Sequence, residues 1–437
     1  MVLAATAAVP TAATAASWGP VGNATRSGQS VGPAVAANAD GRFAVGFVRY
    51  LGSARRAEVR TGRLTDRLRG DSVLLDSSTG NVDSVAVTFA GEEGPLGAAW
   101  RRSANKAQRL RGAAVGEDGD VFGPYDLTTD GTESAYAPRW IAQPEGPPLL
   151  VWDRRTTSAQ APLDGVRFGP ENGLPGTGIS SQVSLAIQPD GSQLLVWLQG
   201  GRVVTALSPA AGQPFGTPVA LSGTGTARDP QLAMGSDGTA VAAWVRNAGA
   251  GNVMEVAARP SRGTFGAPVA LTGAGEGAFT PKLAASSAGG FLAAWVAGPT
   301  GRGWGSASGA VRAEQLVADG TPSGLALTLS PAGARIVDPS VTGDGRGGVM
   351  VGWRAGSGSA RQIVVRRVAR DGVVGSPRTL DRGSRIEAGS PVMAGSLGRR
   401  GGVDVGRDRA LPRLPLSLRV RPPGVSSAMK RYHVTTW

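Results

Sequence analysis

The chain of 437 residues contains no cysteine and a single histidine, His433. The first absence excludes disulfides, thiolate nucleophiles and cysteine-ligated zinc. The second excludes a Ser-His-Asp triad or a histidine metal site anywhere but the last few residues. Lysine is almost as scarce: Lys106, Lys282 and Lys430 are the only three, so 42 of the 45 basic residues are arginine. Aromatic residues make up 5%, too few for a core of large side chains. No apolar run approaches the roughly 18 residues of a transmembrane helix. A GxxxxGK[ST] phosphate loop and an EF-hand pattern are missing as well.

What remains is rich in small residues. Glycine occurs 67 times and hydrophobic residues make up 41%, which suits a core of short strands. The net charge is +13, with nine basic and two acidic residues after Leu397. Arginine, alanine and glycine are all favoured by GC-rich codons, so coding bias accounts for the arginine excess. No basic face interleaved with aromatics is found, and no nucleic-acid partner is expected. The N-terminus, "MVLAATAAVPTAATAAS", ends in small residues suited to cleavage, for example Ala13-Thr14-Ala15. It reads as a signal-peptide remnant or a flexible tail over 1–16, and the first reading predicts an extracellular or cell-envelope protein.

A repeat organises the rest. Seven aromatic anchors, Phe47, Trp100, Trp152, Trp197, Trp244, Trp295 and Trp353, run from 47 to 353 in six steps averaging 51 residues. Glycine lies six positions before every anchor, from Gly41 to Gly347. Proline lies fourteen before it in five copies: Pro33, Pro138, Pro230, Pro281 and Pro339. In the copy "DPQLAMGSDGTAVAAWVR", "QLAM" and "TAVAAWVR" read as strands, with Asp237-Gly238 a two-residue hairpin turn. The proline, lacking an N–H, is expected at the first position of its strand. A third strand, "NVMEVAARP", and a fourth, "FGAPVALTG", complete the copy. Four strands per copy predict an all-β fold, a β-propeller of four-stranded blades, with an open solenoid as the lesser alternative. The repeats fall near 33–76, 84–128, 138–178, 183–223, 230–273, 281–330 and 339–381. Each anchor is expected to fill the space between neighbouring blades.

The ends predict the closure. "SWGPVG" at 17–22 resembles an orphan fourth strand, and "SPVMAGS" at 390–396 an orphan first strand. Together they predict seven complete blades and a composite or damaged eighth, so that the propeller occupies 17–397. Beyond it, 398–437 is Arg/Pro-rich and lacks strand patterning. It reads either as an out-of-frame tail or as a natural disordered basic one, and its removal is expected to leave stability unchanged.

This pattern, "P-x-[VL]-A…DG…[VA]-x-AW…FGxPVxLS", resembles the secreted β-propeller repeat proteins of GC-rich bacteria over about 17–396. The resemblance implies an exported propeller and no particular activity. Sialidase-like propellers are the neighbouring possibility, but their Asp box, S-x-D-x-G-x-x-W, is absent; "SDGTAVAAW" has another spacing.

The candidate sites each carry two readings. Arg49, Arg102, Arg154 and Arg246 recur two residues after their anchors. They form either an anion-facing collar or structural ion pairs, with Asp229 facing Arg246 across its hairpin. The loop "TTDGTESAYAPRW" brings Asp130, Glu133, Tyr136 and Arg139 together, which suits Tyr-and-Glu chemistry or a plain surface loop. Trp304, outside the anchor register, reads as a contact residue or as loop packing. "GEDGDV" at 116–121 offers oxygen ligands for Ca²⁺ or is a solvated turn; no other metal and no cofactor is expected. The leading expectation is a monomeric, non-catalytic propeller that binds a protein or cell-surface carbohydrate through its rim loops. The alternative is a carbohydrate-active hydrolase or lyase.

Overall fold

The computed structural model describes residues 29–38, 40–63, 71–76, 81–91, 93–104, 107–128, 134–143, 146–154, 158–174, 182–247, 249, 251–273, 275–299, 308–332, 334–356, 362–382, 392–394, 416–420 and 430–436. Among them there is no helix. The strands follow the repeat. The first unit holds β1 (Gln29–Ala37), β2 (Arg42–Leu51), β3 (Ala54–Arg63) and β4 (Val73–Leu74). The second holds β5 (Asn81–Phe89), β6 (Leu96–Ala104), β7 (Ala107–Val115) and β8 (Val121–Asp126). In the third, β9 (Tyr136–Ile141), β10 (Leu149–Asp153) and β11 (Ser158–Asp164) are followed by two short strands, β12 (Arg167–Phe168) and β13 (Asn172–Leu174), both paired to β11.

The fourth unit contains β14 (Ser184–Ile187), β15 (Gln193–Gln199), β16 (Arg202–Ser208) and β17 (Val219–Ala220). The fifth contains β18 (Thr226–Met234), β19 (Ala240–Asn247), β20 (Asn252–Arg259) and β21 (Val269–Ala270). Then come β22 (Glu276–Ala285), β23 (Phe291–Pro299), β24 (Ser308–Leu316) and β25 (Pro322–Thr328), and after them β26 (Ala334–Gly343), β27 (Val349–Ala355), β28 (Gln362–Val368) and β29 (Arg378–Arg382). Within each unit the strands are antiparallel. Two short ladders join units edge to edge: Arg55 of β3 pairs with Asn81 of β5, and Ser308 and Gly309 of β24 pair with Arg335 and Ala334 of β26.

First strands pack on first strands: β1 on β5, β5 on β9, β9 on β14, β14 on β18, β18 on β22 and β22 on β26. The circuit is completed by β30 (Val392–Ala394), which packs on both β26 and β1. The tail, which has no strand pattern in its sequence, contributes β31 (Leu416–Val420) and β32 (Lys430–Thr436). β32 pairs parallel with β30 and antiparallel with β31, giving a three-stranded sheet. Residues 17–22, expected as the partner of this sheet, lie outside the described residues. The face of β27 accommodates the new sheet: a Cβ at Gly352 would lie 3.2 Å from Met393 Sδ of β30.

The core lies between units. One cluster joins Val48 and Val59 of the first unit to Trp100 of the second. The next joins Ala99 and Leu110 to Trp152, another Leu149 and Val151 to Trp197, and another Val196 and Leu198 to Trp244. Trp295 and Trp353 close the last two interfaces in the same way. Each of these tryptophans is at most 2% exposed. Small residues let the faces approach: a Cβ at Gly46 would come within 2.7 Å of Val87, and one at Gly97 within 2.5 Å of Leu163.

The glycine before the anchor closes the first hairpin, but by a longer turn than the sequence predicts. Gly235 N donates to Thr239 O at 2.8 Å and Gly238 N to Gly235 O at 3.1 Å, so three residues, Ser236 to Gly238, form the loop. Gly238 takes φ +85°, a region costly for a residue with a Cβ. Asp237 Oδ1 accepts the Thr239 amide at 3.0 Å and fixes the turn. The proline position is also corrected. Pro33, Pro230, Pro281 and Pro339 lie mid-strand inside a β-bulge, where the register shifts between Val31 and Ala34, Arg228 and Gln231, Phe279 and Lys282, and Val337 and Ser340. A bulge leaves one residue out of the ladder, so the missing N–H costs no hydrogen bond there. The residue before the proline turns left-handed in four units: Gly32 (φ +58°), Ala137 (+45°), Asp229 (+52°) and Thr280 (+48°).

Candidate functional site

Because each unit is an antiparallel meander, the beginnings of its first and third strands share one end with the end of its second. The bulges, the anchors and the loops between second and third strands therefore gather at one end of the ring. The turns closing the first hairpins lie at the other. The described candidates Arg49, Arg102, Tyr136, Arg139, Arg154 and Arg246 belong to the anchor end, and the 116–121 turn to the other.

The residues directly opposite the anchors are Glu58, Arg111, Ala159, Val204, Glu255, Arg312 and Val364. Where this position is charged, a carboxylate and a guanidinium meet at the anchor. Trp244 Nε1 donates to Glu255 Oε2 at 2.8 Å, and Arg246 Nε reaches the same oxygen at 2.9 Å. The Glu255 carboxylate raises the Arg246 pKa, its hydrogen bond outweighing burial. Trp100 Nε1 donates to Asp76 Oδ2 at 3.2 Å, which also takes Arg111 NH1 at 2.9 Å. Trp295 Nε1 reaches Glu276 Oε1 at 3.3 Å, with Arg312 3.7 Å from the other oxygen. Phe47 has no N–H to offer, and Ser72 Oγ takes over, donating to Glu58 Oε2 at 2.5 Å beside Arg49 at 3.3 Å.

The arginines two residues past the anchors are thus met by carboxylates: Arg49 by Glu58, Arg246 by Glu255, and Arg154 by Glu171 at 2.5 Å. The partner expected for Arg246, Asp229, is a correction. The three-residue turn and the bulge shift the register, so Ala227 stands opposite Arg246. Asp229 instead bonds Gln182 of the preceding unit, accepting its Nε2 at 3.0 Å and donating its own amide to Oε1 at 2.6 Å. Arg102 stands opposite another arginine, Arg109.

Of the "TTDGTESAYAPRW" loop, Asp130 and Glu133 lie outside the described residues, as does Trp304. Tyr136 and Arg139 belong to β9. Tyr136 is 38% exposed, and Arg101 of the neighbouring unit stacks over its ring at 5.5 Å. Arg101 is held in turn by Asp83, its Nε 2.6 Å from Oδ1. Arg139 forms a two-pronged pair with Asp153, both contacts at 3.2 Å. A stack of the braced Arg101 on Tyr136, with the braced Arg139 on the same strand as the phenol, therefore sits between the second and third units. Arg101, Asp83 and Asp153 were not candidates from sequence; the one signal is that Arg101 follows an anchor directly, as Asp153 does.

In the 116–121 turn, Gly116 N bonds Asp120 O at 2.9 Å, and Glu117 reaches across to Arg42 of the first unit at 3.1 Å. Among the described residues, no three acidic or histidine side chains converge as a metal site. No helix of the described residues is long and apolar enough to cross a membrane.

Neither a protein-family model nor a curated protein matches the chain. Solved structures do. The Dos1 propeller aligns with TM-score 0.50 at 13% identity, over 83% of this chain and 88% of that one. Sqt1 of Chaetomium thermophilum, solved with the N-terminus of a ribosomal protein, aligns with TM-score 0.50 at 14% identity, over 82% and 89%. Puromycin hydrolase aligns with TM-score 0.49 at 18% identity over 84% of this chain, which spans 57% of that enzyme's length. The likenesses to the Dos1 propeller and Sqt1, the all-β units and the circuit of first strands agree: the chain folds as a β-propeller.

Proposed function

We propose that the protein is an exported, non-catalytic propeller that holds a protein or cell-surface carbohydrate against the anchor end of its ring. In this reading the ring has seven complete blades and an eighth begun by β30. The observation that carries the reading is the pairing of charges. Arg101, Arg139, Arg154 and Arg246 are each braced by a carboxylate, and Arg101 stacks on the exposed ring of Tyr136. Braced guanidiniums present fixed donors at little entropic cost, which favours recognition. A glycosidase of the sialidase kind instead needs a carboxylate held ready for proton transfer beside its nucleophile, whereas Glu58, Asp83, Asp153, Glu171 and Glu255 are engaged with arginine.

The test is a glycan array together with affinity capture from cell-surface extracts, using wild type, Tyr136→Ala and Arg139→Ala. The expected result is retention of one ligand class by the wild type, weakened about tenfold in either variant, with the ligand recovered intact. Cleavage of any retained glycan would replace this reading with the hydrolase or lyase one.

A further inference from the structure

Sulfur chemistry in this chain belongs to methionine, because there is no cysteine to compete for an oxidant. Met1 and Met429 lie outside the described residues. Met254 and Met350 are sealed in the core, each 0% exposed. Met234, the last residue of β18, and Met393, in β30, are half-buried. Oxidation follows access, so these two are the reactive methionines among the described residues.

Of the two, Met393 sits where the ring closes. β30 is three residues long, packs on both β26 and β1, and is held by three ladder pairs with β32. The Met393 side chain lies over the face of β27. A Cβ built on Gly352 would be 3.2 Å from Met393 Sδ and 3.6 Å from its Cε, with buried Val365 of β28 also 3.2 Å away. The contact repeats one inside the ring. Gly46 and Gly352 each precede their anchor, and a Cβ at Gly46 would meet Val87 of the next first strand. Met393 lies two residues past Pro391. At that distance from the first-strand proline, other copies carry Val35, Trp140, Leu232, Leu283 and Val341. None of these has a sulfur.

A thioether suits this place, being apolar and able to adapt its shape to a face without a Cβ. A sulfoxide does not. Its oxygen is a strong acceptor, and the Gly352 backbone is already in ladders with Ser340 and Val365. Against that face the oxygen gives up water and gains no donor, which is unfavourable. A strand with three ladder pairs has little to offset the loss.

We propose that Met393 is a modification site, an oxidation-sensitive pin through which peroxide opens the ring. The thioether sulfur loses two electrons and gains one oxygen. The O–O bond of hydrogen peroxide breaks, and its second oxygen leaves as water. Methionine sulfoxide reductases with a thiol reverse the step: the oxygen leaves as water, and two thiols become a disulfide. The inference concerns the closure and stands independently of the ligand proposed above.

The test exposes the full chain to hydrogen peroxide as wild type, Met393→Leu and Met234→Leu. Peptide mass spectrometry locates the added oxygen. Hydrogen–deuterium exchange follows the amides of β1 and β30, with β19 and β20 as the internal reference. In oxidised wild type, Met393 should carry the oxygen, and β1 and β30 should exchange at least about tenfold faster while β19 and β20 hold. The melting temperature should fall by about 2 °C or more. Met393→Leu conserves volume and polarity, so it should start near the wild-type melting temperature and lose the response. Met234→Leu should keep the response. Treating oxidised wild type with both reductases, one for each sulfoxide epimer, should restore slow exchange, a readout that needs no variant to fold. Oxidation of Met234 with Met393 left intact would overturn the proposal. So would unchanged exchange in β1 and β30 once Met393 is oxidised, or an equal response in Met393→Leu.

Discussion

A buried tryptophan contributes through its area and through its one polar atom, and the seven anchors separate the two contributions. Trp244 gives its N–H to Glu255, whereas Trp197 Nε1 is buried with no hydrogen-bond partner. Replacing either by phenylalanine removes similar area. Trp244→Phe also withdraws a donor from a buried carboxylate, so it should cost about 1–2 kcal/mol more than Trp197→Phe in denaturant unfolding. Equal losses would mean that Arg246 alone satisfies Glu255. The first unit already carries such a substitution, with Phe47 as anchor and Ser72 supplying the missing donor. Glu314 is a different kind of buried acid. It is 5% exposed, accepts the Gly324 amide at 2.9 Å, and burial raises its pKa. A raised acid pKa means that the folded state holds the proton more tightly. Its stabilising effect is therefore full below the ordinary carboxylate range and is lost as pH rises through the raised value. Glu314→Gln keeps an acceptor for Gly324 without the charge. It should raise the melting temperature at pH 7, with the gain shrinking towards pH 4; a lower melting temperature at pH 7 would show that the charge is favourable there.

At the scale of the element, the bulged first strand is the part of the fold hardest to see from the chain. The anchors and the turn glycines are legible because each satisfies a demand on one residue: a large side chain between sheets, or a positive φ. Gly238 shows this, and so does Trp353. The bulge depends on pairing with a second strand, and its marker, a proline in the middle of an apolar run, reads equally well as the start of a strand. The three-residue turn and the bulge each shift the pairing by one residue, so Ala227 rather than Asp229 stands opposite Arg246; Asp229 bonds Gln182, and Glu255 takes the arginine. The Tyr136 site was half legible for a similar reason: Arg139 is close in sequence, whereas Arg101 and Asp83 arrive from the neighbouring unit. The bulge also stores measurable strain. Thr280 is β-branched at φ +48°, and its hydroxyl is buried without a hydrogen-bond partner. Such a conformation costs about 1–3 kcal/mol outside glycine. Thr280→Gly, which matches Gly32 in the first unit, should stabilise the protein by about 1 kcal/mol after the entropic cost of glycine, read as a higher denaturant midpoint. A lower midpoint would mean that the threonine methyl packs well enough to offset the strain.

For the whole molecule, the closure decides how the units act together. β30 has β32 as its ladder partner and packs between β26 and β1. Deleting 398–437 removes β31 and β32 and leaves β30 without a strand beside it among the described residues. The deletion should lower the melting temperature and broaden the transition as units uncouple. An unchanged transition would mean that the ring closes without those strands. The same closure gives the protein a mechanical character. In a chain without cysteine, no covalent bond backs up the three residue pairs between β30 and β32. Tension applied between Gln29 and Thr436 loads the seven pairs of β1 with β2 at one end and the three-pair ladder at the other, and the shorter ladder yields first. The ring should behave as a belt fastened at one clasp, opening at low force and afterwards giving way in larger steps, one unit at a time.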